Sequence, residues 1–99
     1  GTMFKILIAE DDRELRQLFQ HVLTKNGYAA VGVSNGEEAL AAMDTSYYDL
    51  IISDIMMPKL DGYELVRSLR EAGNSIPVLM ICVSASSPAV TIIWSSPST

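Results

Sequence analysis

The chain of 99 residues is short of several things, and each shortage excludes a class of protein. It has one cysteine, Cys82, so an internal disulfide is impossible. That agrees with a reducing compartment, and a cytoplasmic location is expected. No apolar run approaches the roughly 20 residues that cross a bilayer. No signal peptide is evident, because the first residues pass straight into a strand-like segment. Basic residues are scarce: 7 Lys and Arg against 12 Asp and Glu give a formal net charge of -5. A broad nucleic-acid surface needs clustered basic side chains, so none is expected from this chain alone. No Lys follows Lys59 and no charged residue follows Glu71. Gly1-Thr2 ahead of Met3 reads as a cloning remnant.

Hydrophobic residues make up 48% of the chain, enough for one domain with a real core. Residues 4–9 form an apolar run that reads as a strand. Asp12 suits a helix cap, and Leu15, Leu18, Phe19, Val22 and Leu23 then recur at helical spacing. That helix should stop at Asn26-Gly27, where glycine takes the left-handed position. Residues 28–33 read as a second strand. Ser34 or Asn35 caps a short helix through Glu37–Met43, and residues 49–53 read as a third strand. A loop over 55–62 leads into a helix marked by Tyr63, Leu65, Val66 and Leu69, which ends near Gly73. Residues 76–82 read as a fourth strand with Pro77 at its start, where the missing N–H is tolerated. The β-α-β-α-β-α-β order predicts an α/β fold, a doubly wound parallel sheet with helices on both faces.

The chemistry gathers at strand ends. Glu10-Asp11 closes the first run and Asp54 closes the third. Ligands of such sheets sit outside the carboxyl ends of the strands at the switch point, so these carboxylates are expected in one pocket. Crowded carboxylates repel and shift one another's pKa unless a cation joins them. A hard divalent ion with oxygen ligands, Mg²⁺, fits best.

Glu10-Asp11, Asp54 and Met57-Pro58-x-x-Asp61-Gly62 together resemble the receiver domain of two-component response regulators, the CheY-like or flavodoxin-like fold. The resemblance covers residues 3–82, a partial receiver domain, and implies strand order 2-1-3-4. It implies that Asp54 is the phosphoacceptor, with a sensor histidine kinase as phosphodonor. Asp11 would bind Mg²⁺ directly with Glu10 close by, and Met56 would add its backbone carbonyl. Met57-Pro58 and Gly62 would shape the loop. The chemistry is coherent, because attack by an anionic carboxylate on an anionic phosphoryl group needs a cation between them. Asp12 and Asp61 read as cap or turn residues, and His21 as a lone surface histidine.

The departures from the family pattern fall in the last fifth of the chain. Where the family has Thr or Ser at the end of the fourth strand, this sequence has Cys82. A thiol is a weak donor, and Ser84 lies roughly 7 Å further along. The neighbours Leu79, Met80, Ile81 and Val83 favour Cys82 as a small buried apolar residue over a catalytic thiol. The family's fourth helix, fifth strand ending in Lys-Pro, and fifth helix have no counterpart, so the receiver reads as truncated. Residues 83–99 form an atypical, charge-free tail, with a β-prone stretch at 89–94. Six intervening residues are too few for a parallel crossover, so that stretch pairs either as an antiparallel hairpin or with another chain. An exposed fourth strand would invite a homodimer by strand or element exchange. The tail reads as a frameshifted or truncated product, which the coding DNA would decide.

Three functions compete. The first is a Mg²⁺-dependent phosphorelay module, a signalling domain and not an enzyme beyond its own phosphoryl transfer. The second is a degraded receiver that serves only for binding or dimerisation. The third, a haloacid dehalogenase-type hydrolase, needs a second Asp two residues after the nucleophile, where this chain has Met56.

Overall fold

The computed structural model describes residues 3–83 and 90–95, with side chains described through Ile81. The elements follow the predicted order: β1 (Lys5–Ala9), α1 (Arg13–Lys25), β2 (Ala29–Val33), α2 (Gly36–Thr45), β3 (Leu50–Asp54), α3 (Gly62–Glu71), β4 (Val78–Val83) and β5 (Val90–Ser95). The sheet order is β2-β1-β3-β4-β5. The first four strands are parallel, and β5 runs antiparallel to β4.

Two bounds and one pairing differ from the sequence reading in ways that matter. β3 runs through Asp54, so the acid belongs to the strand and inherits its rigidity. β4 extends to Val83, which puts Cys82 inside the strand. β4 is not an edge, because β5 pairs with it from Val78–Ser95 to Val83–Val90. The hairpin alternative is therefore the one adopted. The side chains of Cys82 and Ser84, and the connection between β4 and β5, lie outside the described residues.

Alternation along the strands splits the core. Leu7, Ala9, Ile51, Val78 and Met80 meet Ala39 of α2 and Leu65 and Leu69 of α3 in one buried cluster. Ile6 and Ile8 are buried on the opposite face, beneath α1. α1 itself buries no residue fully, and its Leu18 and Val22 are 55% and 46% exposed. The spacing of its apolar residues located the helix correctly, but only part of that stripe is covered among the described residues.

Helix ends follow local chemistry. The Asp12 carboxylate accepts from the amides of Glu14 and Leu15, and Asn35 accepts from that of Glu38. Asp61 and Glu64 form a reciprocal capping box at the start of α3. Gly27 and Gly73 end α1 and α3 with φ of 93° and 81°, a region glycine enters without a Cβ penalty.

Candidate functional site

The register explains how distant acids meet. Ala9 pairs with Ser53 across β1 and β3, so Glu10 and Asp54 come next at the same level. α1 leaves β1 towards β2, and β3 lies on the other side of β1, so a crevice opens at the carboxyl ends where the winding reverses. Carboxylate oxygens of Glu10, Asp11 and Asp54 lie there within 4.8 Å of one another.

The three acids differ in burial. Glu10 is 1% exposed, Asp54 is half-buried and Asp11 is open to solvent. Glu10 Oε2 accepts from the Asp12 N–H at 3.3 Å, whereas buried Oε1 has no hydrogen-bond partner. A buried carboxyl oxygen without a partner is costly, and either a retained proton or a cation relieves it. Burial pushes the Glu10 carboxyl up to about 8 from an ordinary 4.5, with Asp54 and Asp11 adding to the rise and the Asp12 amide opposing it. Burial thus leads the rise at Glu10, and the crowding of acids adds to it.

Asp54 is fixed by its surroundings. Its Oδ1 accepts from the Met56 N–H at 3.2 Å, which brings the Met56 main chain beside the cluster while its side chain points to solvent. Its carbonyl accepts from buried Ser53 Oγ at 3.0 Å. Gly62 donates its N–H to the Ile55 carbonyl at 2.9 Å, so the loop of residues 55–61 closes on itself. Lys59 within that loop has φ of 70°, a strained value for a residue with a side chain. At Gly36 a Cβ would collide with the backbone of Leu60, so the start of α2 also pins this loop.

The sequence reading named all three acids, but it missed Ser53, the Gly36–Leu60 contact and the Arg16 bond to the Glu10 carbonyl. A glycine inside β2 was the available signal for close packing there. His21 is exposed on α1 and takes no part in the acidic cluster. An open groove of about 570 Å³ lies at the opposite end of the strands, between residues 43–49 and 74–77. It contains none of the clustered acids.

This geometry has relatives. The response regulator receiver domain model matches residues 6–94. The chain belongs to the response regulator receiver domain family. It is 42% identical over 77 residues to the alkaline phosphatase synthesis transcriptional regulatory protein PhoP of Bacillus subtilis, covering 78% of this chain and 32% of that one. Among solved structures it is similar to the chemotaxis response regulator CheY4 of Vibrio cholerae, with 36% identity and a TM-score of 0.79. That match covers 88% of this chain and 73% of the other. It is also similar to TrrA of Thermotoga maritima, solved with Mg²⁺ and BeF, at 31% identity and a TM-score of 0.77, covering 85% and 73%. This receiver thus spans about a third of the length of the curated regulators it matches. No helix among its described residues is long and apolar enough to cross a membrane.

Proposed function

We propose that this receiver accepts a phosphoryl group on Asp54 from the phosphohistidine of a sensor histidine kinase, with Mg²⁺ held by Glu10, Asp11, Asp54 and the Met56 carbonyl. The unpartnered buried Oε1 of Glu10 within a three-carboxylate cluster is the observation that carries this reading. The donor set is all oxygen and strongly anionic, which suits a hard divalent cation. When bound, Mg²⁺ supplies the positive charge that lets two anionic groups approach.

The chain's own residues do the rest. Asp54 sits at the last position of a rigid strand, and the Met56 amide holds Oδ1. Oδ2 remains as the nucleophile. A P–O bond forms to it as the P–N bond to the donor imidazole breaks, and that nitrogen keeps the electron pair. Fixed alignment is what such a transfer asks of the protein. Transcriptional control by the matched regulators belongs to proteins about three times as long, and the net charge of -5 does not favour nucleic acid as a partner of these residues.

The domain organisation follows the same line: a partial receiver over 3–82 and an atypical tail over 83–99, acting in the cytoplasm. Among the described residues β5 is the outermost strand of the sheet, and residues 90–95 contain neither proline nor charge. Such an edge is a template for pairing with a second copy, so a homodimer by strand pairing or exchange is part of the proposal. Light scattering after size exclusion tests it. A clean monomer at roughly ten micromolar or above, where weak edge pairing should register, removes the dimer.

Acetyl phosphate or beryllofluoride with Mg²⁺ tests the central reading. Modification of the wild type, and none of Asp54→Asn, is expected. No modification of the wild type leaves a module that only binds or dimerises.

A further inference from the structure

The turn between β1 and α1 carries two of the three clustered acids, and its main chain is held from both sides. The Glu10 N–H donates to the Val33 carbonyl at 3.0 Å. The Glu10 carbonyl accepts from Arg16 Nη1 at 2.8 Å. This second bond lies just past the ladder, which ends at the Ala9–Val33 pair. A charged side chain there takes over from the sheet.

Arg16 reaches that carbonyl by lying across β2. A Cβ on Gly32 would stand 2.9 Å from Arg16 Cγ and 2.7 Å from Gln20 Oε1. Those distances are shorter than real Cβ atoms show, so the end of Gln20 and the stem of Arg16 share the space that glycine leaves. The choice of acceptor also matters. A guanidinium paired with a carboxylate would compete with a cation for the acid oxygens. Bound to the carbonyl, it stiffens the turn while Glu10 Oε1 stays unpartnered.

We propose that Arg16 is a positioning residue for the acidic site and that Gly32 is the cradle that lets it act. This rests on the Mg²⁺ reading of the cluster. Residues that orient ligands in this way are commonly worth about 10- to 100-fold in metal affinity.

Calorimetric titration of the full chain with Mg²⁺ tests it, together with amide hydrogen exchange at Asp11 and Asp12 without metal. Arg16→Met should weaken Mg²⁺ binding about tenfold or more and speed that exchange. Arg16→Lys, which keeps a charged donor, should recover part of both. Gly32→Ala should weaken binding in the wild type but add little to Arg16→Met, because the two act through one contact. Should Arg16→Met fail to fold, Arg16→Lys and Gly32→Ala decide the matter. A lower melting temperature with unchanged Mg²⁺ affinity and unchanged exchange overturns the proposal. A wild type that binds no Mg²⁺ sinks the functional reading instead, and the exchange rates still decide the role of Arg16.

Discussion

Gly62 stands against the carbonyl of Asp54 so closely that a Cβ added to it would lie 2.8 Å from that oxygen and 3.1 Å from the Cα of Ile55. The requirement is for space, not for an unusual backbone angle. Gly62→Ala must therefore move either the start of α3 or the end of β3, and backbone yields poorly. Overpacking of this kind costs about 1–3 kcal/mol. Urea denaturation should show that loss, and Mg²⁺ affinity should fall with it. A variant as stable as the wild type would refute the close-packing account.

The Gly62 contact also shows what the sequence conveys and what it withholds. Strand ends and winding order are local and periodic properties. They sufficed to bring Glu10, Asp11 and Asp54 together, because the register of β1 on β3 sets Glu10 and Asp54 at one level. The end of β3 was harder. Asp54 read as following the strand, yet it keeps its register partner Ile81 in β4, since pairing and not polarity sets the end. Contacts between elements left almost no trace. Arg16 on Glu10, Gly36 on Leu60 and Gly62 on Asp54 each depend on how two elements pack. A lone glycine in a strand or helix start marks that something comes near, but not what. β5 was visible as a β-prone stretch, but its partner was undecided between β4 and another chain until the antiparallel pairing was seen.

Glu10 should make Mg²⁺ binding depend on pH. Its carboxyl is pushed up to about 8 in the folded chain, chiefly by burial and then by Asp54 and Asp11. Between the ordinary value of 4.5 and about 8 the folded protein therefore holds a proton that the unfolded chain has lost. Without metal, the stability from that proton is full below 4.5 and is lost as pH rises through about 8. Mg²⁺ needs the carboxylate, so binding in this window must release a proton. Affinity should rise by up to about tenfold per pH unit through the window and level off above it. Titrations in two buffers of different ionisation enthalpy would measure the proton release directly. Affinity that is flat between pH 6 and 8 contradicts this role for Glu10.

Glu10→Gln separates charge from shape. The amide keeps the volume and the polarity of the side chain but carries no charge at any pH. At pH 9 without metal, the variant should be more stable than the wild type, because a buried anion beside two acids is gone. With Mg²⁺ in excess the order should reverse. A ligand at about 100 times its dissociation constant stabilises the folded state by about 2.7 kcal/mol, and the variant should forfeit most of that gain. Melting curves with and without Mg²⁺ test both halves. A variant that melts below the wild type in both conditions argues for a purely structural Glu10.

Asp12→Ala is the contrasting case, an acid beside the site whose side chain works elsewhere. Its Oδ1 accepts from the amides of Glu14 at 2.9 Å and Leu15 at 3.2 Å, capping α1. Its link to Glu10 runs through its own backbone N–H, which alanine keeps. The change should cost about 1 kcal/mol of stability, the usual worth of a cap. Mg²⁺ affinity should move by no more than about twofold, since a solvent-exposed charge outside the cluster is well screened. Denaturation and calorimetry on one sample give both numbers. A large loss of affinity with intact stability would place Asp12 among the ligands and redraw the site.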